Sequence, residues 1–389
     1  MNDNITPYVR YIGADDKDLD LFESQYVVPQ GISYNSYVIT DEKIAVMDTI
    51  DQRKTDEWTA RLEEALEGRT PDYLIVQHME PDHAANIGWF AEKYPEATIV
   101  ASAKAIQMMP QFFEEVNFAG RTQTVKEGDT LCLGQHTLKF IMAPMVHWPE
   151  VMLTYEESEK ILFSADAFGK FGALCHEGEW IDEARRYYFN IVGKYGAQVQ
   201  ALLKKAAGLD IAIICPLHGP VLKENLGYYI GLYDTWSKYE PETEGVVVAY
   251  ASIHGNTAAT ARRMAEILSE KGAAEVMLID LCRDDMALAV ESAFRYSKMI
   301  VAASSYDAGV FPPMFDFLHH LQIKNFQKRR VGIIENGSWA PTAGRMMSCM
   351  LSEIKNMEIM EHMVTIKSSM KKADLLQMEE LAEELLATE

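Results

Sequence analysis

Val76-Gln77-His78-Met79-Glu80-Pro81-Asp82-His83 closes the apolar run Tyr73–Val76 and sets four potential metal ligands within six residues. A run of strand length that ends in a turn aims alternate side chains to one side and into one pocket. Imidazole with carboxylate, and no thiolate, suits iron, zinc or manganese. A lone histidine is more often a satisfied core residue; this clustering is a different pattern.

Three later apolar runs end in the same way. Phe140–Pro144 leads to His147, Ile161–Ala165 to Asp166, and Ile211–Pro216 to His218. Strands of an α/β sheet present their C-terminal ends along one edge, so residues distant in sequence should converge there. Seven candidate ligands are too many for one tetrahedral ion and fit two. Asp166, alone at its strand end, is the natural bridge.

Composition bounds the rest. At about 100–200 residues per domain, 389 residues imply two or three domains. Apolar residues at 48% and charged residues at 24% support full cores, which excludes a disordered, collagen-like or disulfide-stapled chain. Thirty-six basic against 58 acidic residues give a net charge of −22, a poor surface for nucleic acid or anionic lipid. The five cysteines are scattered and form no C-x-x-C pair, a reducing-compartment pattern. The N-terminus lacks a basic stretch followed by an apolar one, and no run reaches the ~18 apolar residues of a membrane span. A cytoplasmic protein without membrane or nucleic-acid partners is expected.

Two textures divide the chain. From Tyr26 to Pro220 short strands alternate with loops and a few helices, including a hairpin across Asp41-Glu42 and a helix over Asp56–Gly68 that stops on glycine. A helical aromatic connector, Gly227–Glu240, precedes the charged, proline-containing linker Pro241–Gly245. Beyond it strands and helices alternate strictly, which predicts a doubly wound parallel sheet. The expected domains are residues 1–245 and 246–389.

A second constellation opens the C-terminal half. The strand Val246–Ala251 runs into Ser252-Ile253-His254-Gly255-Asn256-Thr257 and then a helix. Hydroxyls, a glycine and free N–H groups at a helix start form an anion cradle for one terminal phosphate. Neither G-x-G-x-x-G nor Gly-Lys-Thr is present, and such a turn can also be an ordinary N-cap. Two later loops fall at the same sheet edge, Ser304-Ser305-Tyr306-Asp307 and Asn336-Gly337-Ser338-Trp339. Their hydroxyl, aromatic and small residues suit a planar isoalloxazine.

This half resembles flavodoxin, which implies FMN held by Ser252, His254, Gly255, Asn256, Thr257 and the two later loops. Flavodoxin relatives often place Ser-Pro-Thr before the tyrosine, where this chain has Ala303-Ser304-Ser305. The N-terminal half resembles the metallo-β-lactamase superfold, whose hydrolases carry His-x-His-x-Asp-His. Glu80 replaces the second histidine, which hardens the site and favours iron over zinc.

With His147, Asp166 and His218 following, the whole chain resembles the flavodiiron protein family, an αββα sandwich followed by a flavodoxin-like sheet. The resemblance implies one iron on His78, Glu80 and His147, another on Asp82 and His218, and Asp166 between them. His83 lies in or out of that shell in the family. It also implies two irons and one FMN per chain, reducing O2 to water, NO to nitrous oxide, or both. A head-to-tail homodimer, or a tetramer built from it, would bring flavin and irons together. No Cys-x-x-Cys module follows, so an external donor such as rubredoxin or a reduced deazaflavin is expected.

Two other classes compete. A zinc-dependent hydrolase with an accessory flavodoxin-like domain is disfavoured by Glu80. An FMN-only electron carrier is disfavoured by the intact ligand set. His136, His176, His319, His320 and His362 read as structural, and the methionines as core filler. Trp148 either walls the metal pocket or packs; Trp339 belongs with the flavin loop.

Overall fold

The structure is a computed structural model and describes residues 4–176 and 178–387. Two compact units divide it: Met1–Tyr188 with Ala197–Asp234, and Phe189–Gly196 with Thr235–Glu389.

The first unit begins with β1 (Val9–Tyr11) and two short ribbons, β2 (Ala14–Asp16) with β5 (Ile32–Tyr34) and β3 (Leu21–Phe22) with β4 (Tyr26–Val27). β6 (Tyr37–Thr40), β7 (Ile44–Met47), β8 (Tyr73–Val76), β9 (Thr98–Ser102) and β10 (Thr122–Val125) join β1 in a six-stranded sheet, ordered β1-β6-β7-β8-β9-β10. β6 and β7 form the hairpin expected across Asp41-Glu42, and β7 to β10 run parallel. The connecting helices are α1 (Thr55–Leu66), the single turn α2 (Pro81–Ala84), α3 (Ile87–Lys93) and α4 (Ala103–Phe112). α1 stops where Glu67 and Gly68 take positive φ (51° and 83°), a left-handed exit that glycine enters without strain.

A second sheet has five strands in chain order: β11 (Thr130–Cys132), β12 (Thr137–Met142), β13 (Met152–Glu156), β14 (Ile161–Phe163) and β15 (Ile213–Cys215). Its helices are α5 (Trp180–Tyr187), α6 (Gly196–Ala206) and α7 (Leu226–Ser237). One apolar core joins the two sheets, with Tyr37, Met47, Ile75 and Val100 from the first and Phe140, Met152, Phe163 and Cys215 from the second. The sandwich is therefore the αββα architecture expected.

In the second unit β16 (Thr243–Ala251), β17 (Val276–Asp280), β18 (Tyr296–Tyr306) with its hairpin partner β19 (Gly309–Val310), β20 (Arg330–Asn336), β21 (Glu358–Ile359) and β22 (Val364–Ile366) form one sheet. The path β17-β16-β18-β20-β21 is all parallel and gives the 2-1-3-4-5 order of a flavodoxin-like fold. Five helices cover it: α8 (Asn256–Glu270), α9 (Met286–Arg295), α10 (Pro312–Ile323), α11 (Ala343–Ser352) and α12 (Lys372–Leu386). Thr388, the last residue of the C-terminal helix as read from sequence, lies outside the described residues.

Three local expectations change. β16 already starts at Thr243, so strand pairing with Tyr296 takes over part of the linker Pro241–Gly245. The single strand expected near residues 358–367 is two, because β21 and β22 pair with opposite ends of β20. β18 runs on through Ser304-Ser305-Tyr306 and turns back at Asp307 and Ala308 (φ 46° and 59°), the double positive φ of a two-residue hairpin turn.

Candidate functional site

The ligand-type side chains come from two sheets, not from one sheet edge. His78 and Glu80 leave the end of β8, and Pro81 opens α2, whose single turn carries Asp82 and His83. Proline suits that first helical position because its φ is already set. His147, Asp166 and His218 follow β12, β14 and β15 in the other sheet. Sandwich packing, rather than one shared edge, brings the sets together.

Two groups result, His78, Glu80, His147 and Asp166, and beside it Asp82, His83 and His218. In the first, the Glu80 Oε2 atom lies 3.2 Å from His78 Nε2 and 3.1 Å from His147 Nε2. In the second, Asp82 Oδ2 is 3.2 Å from both His83 Nε2 and His218 Nε2. Donors ~2.0–2.2 Å from a shared cation stand roughly 2.8–3.6 Å from one another, depending on coordination number. Both groups have that spacing.

Asp166 faces both groups. Its Oδ2 lies 3.2 Å from His78 Nε2 and from His147 Nε2, while Oδ1 lies 3.3 Å from His83 Nε2. Both oxygens of Asp82, both of Asp166 and Nε2 of His147 are buried without a hydrogen-bond partner among the described residues. Buried polar atoms left so are costly unless a cation engages them. The residues present fit two metal ions.

The electrostatics agree. Burial opposes charge on His83, yet Asp82 and Asp166 raise it to about 10. His147 is likewise raised to about 9, against its burial, by Asp166 and Glu80. Burial would raise Asp166, but the surrounding imidazoles hold it well below the usual carboxylate range. So anionic a pocket attracts cations, and metal binding displaces protons from the imidazoles.

Supporting groups orient the ligands, and the sequence reading missed them. Glu150 is 1% exposed, and its Oε1 lies 2.8 Å from His78 Nδ1 and accepts from the Met79 amide at 2.8 Å. Asp48 accepts from the Gln77 amide at 2.7 Å and the His78 amide at 3.3 Å. Burial raises this carboxyl to about 6. His218 Nδ1 lies 2.7 Å from the Ser33 carbonyl oxygen, which makes Nδ1 the protonated nitrogen and frees Nε2. Trp148 stands edge-on to His78, ring centres 5.3 Å apart, so it walls the pocket. His136, read as structural, pairs with Asp41 at 2.8 Å.

In the second unit a cavity of about 600 Å³ opens where β16 and β18 diverge. Such a switch point is where open α/β sheets bind ligands. Ser252, His254, Asn256, Thr257, Ser304, Ser305, Tyr306, Asp307, Asn336, Gly337, Ser338 and Trp339 all line it. Gly255 is absent from the wall; its φ of 91° starts α8 and presents the first-turn N–H groups. Ile253, Thr342 and Ser368 also line the cavity and were not anticipated.

Not every hydroxyl there is free. Ser305 Oγ accepts from the Thr342 and Ala343 amides at 2.8 and 3.1 Å, capping α11. Asn336 is tied to Ser368 by two hydrogen bonds. Trp339 is 92% exposed, a large aromatic face open to a planar ligand.

Comparison with known proteins follows the two units. The family model described as ODP family beta lactamase matches residues 32–219. The anaerobic nitric oxide reductase flavorubredoxin of Aliivibrio fischeri is 29% identical over 353 residues, covering 87% of this chain and 70% of that protein. Rubredoxin oxygen:oxidoreductase from Desulfovibrio gigas superposes with a TM-score of 0.92 at 25% identity, covering 98% of this chain and 97% of that one. For the fold, the flavodiiron protein of Giardia intestinalis gives a TM-score of 0.92 at 24% identity, covering 99% and 96%. Likeness that runs through a β-lactamase-type sandwich with Glu80 among its ligand-type residues and on through a flavodoxin-type sheet has one reading: the chain belongs to the flavodiiron protein family.

Proposed function

We propose that this protein reduces O2 to water, NO to nitrous oxide, or both, at a diiron centre supplied with electrons by FMN. The observation that carries the reading is Asp166, whose two oxygens face two separate groups of ligand-type residues. His78, Glu80 and His147 would hold one iron, and Asp82, His83 and His218 the other, with Asp166 available to both. His83 joins this set because its Nε2 lies 3.1 Å from His218 Nε2, the spacing of two donors on one ion.

When bound, the irons supply a site for one O2 or two NO molecules, and the flavin supplies electrons singly or in pairs. The chain's own part is positioning. Glu150 and the Ser33 carbonyl fix the tautomers of His78 and His218, and Asp48 holds the backbone that carries His78. In the second unit the N–H groups opening α8 would receive the FMN phosphate, and Trp339 would offer its face to the ring. Complete reduction of O2 takes four electrons and four protons, and coupling two NO to nitrous oxide and water takes two of each.

The named relatives suggest both substrates and a donor: a nitric oxide reductase in A. fischeri, a rubredoxin-dependent oxygen reductase in D. gigas. For this chain rubredoxin or a reduced deazaflavin is the proposed donor, in a cytoplasmic head-to-tail homodimer or tetramer of chains with domains 1–245 and 246–389. No helix among the described residues is long and apolar enough to cross a membrane.

Metal and flavin content of anaerobically purified protein, followed by gas consumption with a reduced donor, tests the reading. About two irons and one FMN per chain with O2 or NO uptake is expected. Two zincs after iron-replete growth would point to the hydrolase, and FMN without metal to the carrier.

A further inference from the structure

The five-stranded sheet has a second face. Met152, Ile161, Phe163 and Cys215 point into the sandwich core. By the two-residue alternation of strands, Leu153, Leu162 and Ile214 point the other way. Above them, α6 and α7 leave a cavity of about 370 Å³, walled by Leu202 and Ala206 from α6 and by Gly227 and Tyr233 from α7.

Most of the side chains lining this space are apolar. Asp210 is the one charged residue among the described lining, and its side chain is 78% exposed. The Tyr233 hydroxyl is engaged, accepting from the Phe168 amide at 2.6 Å. No other charged side chain is among the described lining. Cavities lined by Leu, Ile and Phe stay dry and take up small apolar molecules such as xenon.

The inner end decides what the space is for. Val146, Ala167 and Phe168 line it; Val146 directly precedes His147, Ala167 directly follows Asp166, and Phe168 comes one residue later. Phe168 and Tyr233 close that end with ring centres 4.4 Å apart. Burial, and after it the charge of Asp166, keeps the Tyr233 hydroxyl from ionising.

We propose that this cavity is a binding site for small neutral diatomic gas, holding substrate behind His147 and Asp166 and delivering it past the Phe168–Tyr233 pair. This rests on the gas-reductase reading above. O2 and NO are uncharged and partition from water into apolar space, which suits a wall built from Val, Leu, Ile, Ala and Phe side chains. A local store beside the metals raises gas concentration where it is consumed.

The test is cavity filling in the full-length, metal- and FMN-loaded protein. Gly227 lines the cavity and a Cβ there meets nothing within 4 Å, so Gly227→Phe adds bulk at the wall without a clash at Cβ; Ala206→Phe adds it from the other helix. Crystals under xenon should show the atom between Leu162, Leu202 and Phe168 in the native protein and not in the variants. Metal and FMN content should be unchanged, with KM for the gas raised several-fold and kcat at gas saturation preserved.

Xenon absent from the native cavity, or the cavity filled by side chains of a second copy, overturns the proposal. So does an unchanged KM in a variant that excludes xenon. Xenon bound in loaded protein that consumes neither gas would instead overturn the reductase reading; the delivery role would fall with it and the apolar binding site would stand.

Discussion

Glu150 Oε1 takes two donors at once, the His78 imidazole at Nδ1 and the Met79 amide, each at 2.8 Å. One buried carboxylate thereby fixes both the ring orientation of a proposed ligand and the backbone beside it. Its charge also makes the imidazole a stronger donor to metal.

Replacing that carboxylate separates the two roles. Glu150→Gln keeps an oxygen for both donors and loses the charge, whereas Glu150→Leu loses both. Glu150→Leu should weaken metal retention about 10–100-fold in a chelator competition. Glu150→Gln should retain metal far better while raising the midpoint potential of the centre. Identical behaviour of the two variants would mean that only packing matters there.

Asp166→Asn removes one of the two oxygens that face the metal groups. Iron per chain should fall from about two to about one or fewer, measured by elemental analysis against protein concentration. Uptake of O2 and NO should fall to background together. Full iron retention would show that Asp166 does not join the two ions.

Trp339 is 92% exposed, so it adds little to the unliganded fold. Trp339→Ala should leave the apoprotein's unfolding free energy within about 0.5 kcal/mol of wild type. Loss of one stacking partner should cost about 0.5–1.5 kcal/mol of FMN binding. In a fluorescence titration that is roughly a twofold to tenfold rise in Kd. An unchanged Kd would place the ring elsewhere in the cavity.

Asp16 is buried and accepts from Arg53 Nε at 2.5 Å, with Lys54 Nζ 3.8 Å away. Burial alone would raise its pKa, but the Arg53 hydrogen bond and both cations bring it below the usual carboxylate value. A depressed folded-state pKa contributes stability above the unfolded value near 3.9, and that contribution is lost as pH falls through the folded value. Asp16→Asn should cost about 1–3 kcal/mol at pH 7 and flatten the loss of stability below about pH 4. Urea midpoints at both pH values decide it; parallel profiles would remove Asp16 from the acid response.

What the sequence made legible was chemistry that sits close along the chain. His78 to His83 and Ser252 to Thr257 each gather their functional groups within a few residues, and short apolar runs marked the other strand ends. The seven ligand-type residues fall into two groups, both faced by Asp166. Their origin in two sheets was not legible, since the edge rule describes one sheet and the sandwich is set by core packing between Tyr37 and Phe163. Glu150 and Asp48 went unread because a carboxylate buried against a backbone amide looks, in sequence, like any acidic residue. The commitment of Ser305 to capping α11 depends on where Thr342 arrives, some 37 positions later. Phe189 gave no local sign either: it stacks on Phe294 at 4.3 Å, and the short segment Phe189–Gly196 groups with the second unit.

His78 belongs to one leaf of the sandwich and Asp166 to the other, and they meet 3.2 Å apart. Whatever cations bind between them pin the two leaves together at one margin, as a clasp shuts a book. Binding there draws on the same free energy that keeps the leaves closed. Chelated protein should therefore melt earlier than loaded protein, with proteolysis starting in the segments that carry His147 and Asp166. The reactive centre then doubles as the fastening of its own scaffold, and a chain that has lost its metal becomes softer at the very place where the metal must return.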